Sequence, residues 1–438
     1  MNLLIAISFL VSLAIGIPIA FVMGITALAA VSALPSVPLH LIPQRLFTGM
    51  DSFPIMAVPF FILGGDLMNA AKITDRIVGF SKILVGRIRG GLGHVNIVGS
   101  MIFAGISGSA VADASCLGSI LIPAMEKDGY ETHYASAITA SASIIGPIIP
   151  PSIPMVILGM VANVSVGALF LGGVLPGIFI GLGLMSVNYV VSRKRNYSKV
   201  TEPLTFKIFF KTFLGAIIPL LMPLIIIGGI LSGIFTPTEA ASIAVAYALF
   251  IGFFVLRTLA LKDLPRIFFR SAVATSTILI VMGMANAFSW VLATQQIPQK
   301  VSEFILSISH NPNVILFLVN IFLLIVGCFL EGMAAIILIV PILMPLVTQI
   351  GIDPLHFGLI VVVNLMIGLL TPPMGLCLFV VCGIAKIKLG SLFKEVIPFL
   401  AVEIVILFMI TYMPWFTLTL PRLFKLHYPA YRRARGTR

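Results

Sequence analysis

Long apolar runs make up most of this chain, and polar residues interrupt them at a few recurring places. Apolar spans are read near 3–33 and 54–70, followed by a basic amphipathic stretch at 72–89. Residues 92–126 form an apolar stretch interrupted by AGISGSAVADAS. A helix crossing a bilayer needs about 20 apolar residues, so two arms of about 15 joined by a polar tip predict a re-entrant hairpin. A broken span at 134–161 and a span at 167–191 come next. After one further span at 212–234 the same order of parts returns. It consists of spans at 238–256 and 271–294, an amphipathic stretch at 295–312, a hairpin at 314–349, a broken span at 356–384 and a span at 391–417. A basic tail, 418–438, ends the chain.

The return is gapless through the hairpins and broken spans. Pro150 and Pro151 stand 222 residues before Pro372 and Pro373, and at that offset Gly105 meets Gly327, Pro123 meets Pro345, Gly129 meets Gly351, Gly146 meets Gly368 and Pro176 meets Pro398. Acidic Glu131 also meets Asp353. Glycine and proline set backbone shape, so their coincidence implies two copies of one scaffold, 1–191 and 238–417, around a connecting segment at 192–237. Upstream the register shifts by two, where KITDRIVGF (72–80) resembles QIPQKVSEF (296–304). Each copy holds four spans and a hairpin. The unpaired span at 212–234 then turns the second copy upside down.

Charge agrees with inversion. The first amphipathic stretch carries Lys72, Arg76, Lys82, Arg87 and Arg89, and its counterpart only Lys300. By the positive-inside rule the first is cytoplasmic and the second is not. Loops with Arg193, Lys194, Arg195 and Lys199, and with Arg257, Lys262, Arg266 and Arg270, fall inside on the same count. The tail is the exception: nine spans place it outside, yet it carries Arg422, Lys425, Arg432, Arg433, Arg435 and Arg438.

Composition fixes the class. The chain is 59% hydrophobic and 10% charged, where soluble domains carry about 25% charged residues. This is an all-α polytopic membrane protein. The first apolar stretch is too long for a signal-peptide core and has no basic residue before it, so it is read as a retained span. The net charge of +12 lies in short clusters between apolar runs, which is a membrane pattern and excludes nucleic acid as the partner. Cys116, Cys328, Cys377 and Cys382 sit singly in apolar stretches and read as buried small hydrophobes, with no disulfide or zinc site.

The candidate chemistry lies at the breaks. A double proline removes backbone donors and leaves carbonyls unpaired, which the membrane tolerates only inside protein or beside a cavity. Discontinuous helices at matching positions in two halves point to a secondary transporter's binding site. The two hairpin tips and two breaks are expected to meet near the midplane. The first tip offers Gly105, Ser107, Gly108, Ser109 and Asp113, and the second Gly327, Glu331 and Gly332. The first break offers Ser143, Gly146, Pro147, Pro150, Pro151 and Ser152, and the second Asn364, Gly368, Thr371, Pro372, Pro373 and Gly375. Hydroxyl and carbonyl oxygens suit a hard cation such as sodium, while half-helix N-termini suit an anion. Asp113 and Glu331 stand out, because an ionisable group within a membrane segment is costly and tends to be functional. The bland alternatives are helix capping for the acids and close helix packing for the serines. Neither hairpin arm nor broken span contains Lys or Arg, so an anionic solute would be met by helix N-termini, amides and bound cations.

Two other chemistries have recognisable sequence signatures. There is no GxxxxGK[ST] and no HExxH. Residues 105–108 match the GxSG of rhomboid-type intramembrane proteases, but such an enzyme needs a histidine on its serine. His40, His94, His133, His310, His356 and His427 all fall near segment ends or in loops.

SGSAVADAS (107–115), IGPIIPPSIP (145–154), FTPTEAA (235–241), GIDPLHFG (351–358) and IGLLTPPMG (367–375) together resemble the large permease subunit of TRAP (tripartite ATP-independent periplasmic) transporters. The resemblance runs from the N-terminus to about residue 420. It implies a sodium-driven importer of the bacterial inner membrane, not an enzyme. A periplasmic substrate-binding protein would deliver a small carboxylate such as a C4-dicarboxylate, sialic acid or a sugar acid, and a small four-helix membrane subunit would accompany the chain. It also implies an elevator-type fold, with sodium and solute contacts at 105–113, 146–152, 327–332 and 371–375. Sodium is the only ion implied, with no organic cofactor. A rocking mechanism with the amphipathic stretches as surface loops, and a stand-alone symporter of related fold, are the rival expectations.

Overall fold

The computed structural model describes residues 1–35, 37–199 and 206–426, and those residues are helical with short connections. In chain order the α-helices are α1 (Asn2–Ala14), α2 (Ile19–Ser32), α3 (Leu41–Met50), α4 (Ala57–Ala70), α5 (Ile73–Val85), α6 (Gly91–Ser107), α7 (Ala110–Lys127), α8 (Thr132–Ser143), α9 (Ile153–Val161) and α10 (Val166–Lys194). They continue as α11 (Phe206–Leu231), α12 (Pro237–Phe250), α13 (Leu264–Thr294), α14 (Ile297–Ile308), α15 (Pro312–Phe329), α16 (Gly332–Gln349), α17 (Pro354–Gly368), α18 (Leu376–Ala385), α19 (Leu389–Tyr412) and α20 (Trp415–Leu423). Among the described residues, seven helices are long and apolar enough to cross a membrane, or up to eight if the bent pair α19–α20 is one span. Large apolar side chains such as Phe209, Leu224, Val273, Phe322 and Val405 face outward, as a surface solvated by lipid requires.

Local chemistry sets where the helices stop. The arms α5 and α14 are each entered through a residue with positive φ, Lys72 (57°) and Gln296 (54°), which turns the chain sharply out of the preceding helix. Gly129 and Gly351 (φ 88° and 74°) make the turns out of α7 and α16. Ser109 caps α7, Ser152 caps α9, Glu331 caps α16 and Asp353 caps α17. Both Pro-Pro bonds are cis.

The structure departs from the sequence expectations in four places. The first apolar stretch is not one span: Gly16 (φ 86°) and Pro18 break it, and α1 and α2 pack against each other. Between the first two expected spans an additional helix, α3, packs along α13. Helix α13 begins at Leu264, so Arg266 and Arg270 belong to a helix and not to a loop. The last expected span divides into α19 and α20 at a 58° bend beside Pro414. The tail residues Arg432, Arg433, Arg435 and Arg438 lie outside the described residues.

Two groups of helices can be distinguished by their neighbours. Helices α4, α12 and α13 pack together, with α2 and α3 against α13. Helices α6 to α10 and α15 to α20 form a second body, in which α8 lies among α6, α7, α18 and α19, and α17 lies among α10, α15, α16 and α19. Both broken helices are encased there. Every residue of α17 from Leu355 to Gly368 is buried, as is every residue of α8 from Tyr134 to Ser143. That burial removes the freed backbone groups from lipid.

Candidate functional site

Tip and break meet in pairs. At the first tip α6 ends at Ser107, Gly108 turns left-handed (φ 60°), and Ser109 opens α7 by accepting from the Ala112 amide at 3.5 Å. A Cβ on Gly108 would lie 2.6 Å from the Pro151 carbonyl oxygen, so only glycine lets the tip settle on the first break. The Ser107 hydroxyl donates to Asp113 Oδ1. Asp113 Oδ2, fully buried, has no hydrogen-bond partner and faces Gly146, where a Cβ would collide with it. In the break, Ser152 Oγ donates to the Pro147 carbonyl at 2.5 Å and accepts from the Met155 amide at 3.2 Å. A carboxylate oxygen, a serine hydroxyl and the proline-freed carbonyls thus stand together with one oxygen unpaired.

The second pair is built differently. Gly327 and Gly368 touch backbone to backbone, since a Cβ on Gly368 would lie 2.7 Å from Gly327 Cα. The Met374 amide donates to the Cys328 carbonyl at 3.2 Å, the Thr371 hydroxyl donates to the Gly368 carbonyl at 2.7 Å, and Cys328 Sγ lies 3.0 Å from Thr371 Oγ1. Glu331 Oε2 accepts from the amides of Met333 and Ala334 at 3.0 and 3.1 Å, so this acid caps α16. The Asn364 amide donates to Asn320 Oδ1 at 2.8 Å and to its carbonyl at 3.0 Å, leaving Asn364 Oδ1 buried and unpaired.

One cavity of about 830 Å³ joins both pairs. Of the residues predicted from sequence, Ser107, Gly108, Ser109, Pro147 and Glu331 line it. Asp113 and Ser152 are buried behind that wall, and Ser143 donates to the Ala140 carbonyl at 2.7 Å. Gly105 instead packs on Pro223 of α11, and Gly332 packs on Met366. Pro150, Pro151, Pro372, Pro373 and Gly375 shape the breaks and do not line the cavity. Four helices start at its wall: Ala110 of α7, Ile153 of α9, Met333 of α16 and Leu376 of α18 all line it. At α16 the first amides are already taken by the Glu331 carboxylate, which leaves the N-termini of α7, α9 and α18 to bring partial positive charge to the cavity wall.

Sequence reasoning missed the opposite wall. Helices α4 and α13 contribute Asp66, Asn69, Arg270 and Thr277. Ser271 donates to Asp66 Oδ2 at 2.7 Å, which holds the two helices in register. Asp66 sits in an otherwise apolar span and was detectable as an intramembrane acid. Arg270 was not, because its basic neighbours resemble a loop. The Ser107 hydroxyl donates to Asp113, and among the described residues it bonds no histidine.

Residues 6–416 match the family described as "Tripartite ATP-independent periplasmic transporter, DctM component". The chain is 44% identical over 410 residues to the sialic acid TRAP transporter large permease protein SiaM of Vibrio cholerae, covering 93% of this chain and 96% of that one. It is 36% identical to the C4-dicarboxylate TRAP transporter large permease protein DctM of Pseudomonas aeruginosa, covering 86% and 88%. It is 35% identical to the 2,3-diketo-L-gulonate TRAP transporter large permease protein YiaN of Escherichia coli, covering 92% and 94%. Among solved structures, the YdaH transporter of Alcanivorax borkumensis superposes with a TM-score of 0.66 at 12% identity, covering 94% of this chain and 99% of that one.

Proposed function

The chain belongs to the DctM component family of tripartite ATP-independent periplasmic transporters, and from that premise we propose that it is the membrane permease of a sodium-coupled, binding-protein-dependent importer of small carboxylates. The observation that carries the reading is the convergence on one cavity of three helix N-termini without an acidic cap, those of α7, α9 and α18. They supply an anion-binding surface with no lysine or arginine from the hairpins or broken helices. Relatives named for sialic acid, C4-dicarboxylates and diketogulonate share the chemistry of an anionic carboxylate. Arg270 on the facing wall adds a fixed positive charge for such a solute.

Sodium is assigned to the first tip and break. The unpaired Asp113 Oδ2, the Ser107 hydroxyl and the carbonyls freed around Gly146 and Pro147 make an oxygen set suited to a hard cation. The second tip and break, with Thr371 and the carbonyls near Gly368, form the matching site. A cation at each would lower the cost of an anion beside them, which is the physical basis of symport.

Inversion of the two copies rests on parity and charge. Between the arms α5 and α14 four helices, α10, α11, α12 and α13, are long and apolar enough to cross, and counting the broken helix α8–α9 as one more span makes the number odd. The arms therefore lie on opposite faces whether or not α1–α2 crosses. Lys72, Arg76 and Lys82 mark the cytoplasmic arm. A small membrane subunit and a periplasmic binding protein complete the importer, in the bacterial inner membrane. The test is uptake of labelled sialic acid and of a C4-dicarboxylate into proteoliposomes holding this chain and its small subunit. Uptake is expected only with both an inward sodium gradient and the cognate binding protein. Equal uptake without either overturns the proposal.

A further inference from the structure

Helix α19 carries an acid with no evident purpose. Glu403 is fully buried, and neither of its carboxyl oxygens has a hydrogen-bond partner. The packing around it is tight. A Cβ on Gly183 of α10 would lie 2.5 Å from Ile406 and 2.7 Å from Val402, so α10 lies flush on the turns that flank the acid. Phe399, one turn earlier, packs on Tyr134 of α8, and Leu407, one turn later, is fully buried.

Among the described residues no hydrogen-bonded charge compensates it. On α18, Cys377 faces Ser143 and lies within electrostatic range of both Glu403 and Asp113; Cys382 on the same helix is half-buried. On α8, Tyr134 donates to Asn188. On α17, His356 bonds Thr417 Oγ1 and the Thr411 carbonyl through its two ring nitrogens. On α10, Tyr189, Arg193 and Lys194 sit at the exposed end. On α19 itself Glu395 pairs with Arg195, and Lys394 lies at the same end. None of these groups hydrogen-bonds Glu403. An ionised carboxylate here would be desolvated without a counter-ion, which is far costlier than burying a neutral acid.

We propose that Glu403 is a proton-binding site of the helix body that holds the breaks, occupied in the folded protein by a proton and distinct from the tip-and-break oxygens. The proton converts a lone anion into a neutral carboxylic acid, –COO⁻ plus H⁺ giving –COOH. That neutral form is the only one compatible with the uncharged junction of α8, α18 and α19. This does not depend on the sodium assignment above, because Glu403 touches neither tip.

Infrared spectroscopy of the lipid-reconstituted full chain reads the proton directly. At neutral pH the wild type is expected to show the carbonyl stretch of a neutral carboxylic acid. That band is expected to vanish in Glu403→Gln and persist in both Asp113→Asn and Glu331→Gln. A neutral-acid band untouched by Glu403→Gln overturns the proposal. If Glu403→Gln does not fold, the band in Glu331→Gln decides alone: its absence at neutral pH overturns the assignment.

Discussion

Asp113 illustrates how one buried atom defines a site. Its Oδ1 is satisfied by the Ser107 hydroxyl while Oδ2 is left open against Gly146. Buried polar atoms are almost always paired, so the open carboxylate oxygen is where the proposed cation would sit. Replacing Asp113 by Asn keeps shape and removes charge. Sodium half-saturation of uptake is then expected to rise by about tenfold or more, corresponding to about 1.4 kcal/mol, with the melting temperature little changed. Gly146→Ala is expected to act by volume instead, because its methyl occupies the space facing Oδ2. The two variants share a weakened sodium response, but only Gly146→Ala should displace the carboxylate. Unchanged sodium dependence in both would remove Asp113 from the cation site. Glu331 stands 222 residues after Ser109, not after Asp113, and like Ser109 it caps the helix that follows its tip. The two tip acids therefore occupy different places in the repeat and serve different purposes.

At the scale of elements, glycine decides how closely a hairpin approaches its break. Gly327 and Gly368 leave no room for a side chain between α15 and α17, and a methyl at Gly368 would sit 2.7 Å from backbone. Backbone cannot rotate away as a side chain can. Gly368→Ala is expected to cost about 1–3 kcal/mol of stability, the usual range for overpacking, and to lower transport by parting the second tip from its break. A melting temperature equal to wild type would contradict this contact. The helix ends at the tips and breaks were legible in the sequence because glycine, proline and small polar residues punctuate apolar runs at fixed spacing; arm length was not, since α15 and α16 have 18 residues each and are each long and apolar enough to cross a membrane. The fold-back of α1 on α2 was harder to see. Gly16 and Pro18 lie in a run whose hydropathy never falls, and hydropathy alone does not register a turn. Arg270 was read as loop because positive charge marks helix ends as well as loops, and α13 extends beyond its apolar window. Pairings such as Asn364 with Asn320, or Cys328 with Thr371, join residues far apart in sequence and emerge only from packing.

At the scale of the molecule, the cavity divides the protein along a seam. One wall comes from α2, α4 and α13, and the other from both hairpins and both broken helices. The second wall belongs to a body whose polar contacts are mostly internal, whereas Ser271 to Asp66 ties α4 to α13 on the first. Two bodies meeting at a solute cavity can exchange access by sliding one past the other or by rocking about the cavity. The arms α5 and α14 favour sliding, because each leaves α4 or α13 through a sharp positive-φ turn and leads directly into a hairpin. The seam offers a direct test at Gly65 of α4, whose Cβ position lies 3.4 Å from the Ile106 carbonyl oxygen on α6. A cysteine pair at Gly65 and Ile106, in a background without the four native cysteines, brackets this contact, and its closure under oxidant is read first by gel shift. Sliding separates these positions, so cross-linking is expected to abolish uptake and reductant to restore it. Each single-cysteine protein should be unaffected by the oxidant. Full uptake with the bridge closed would mean that α4 and the first hairpin never part, and the arms would then be surface helices on a rocking protein.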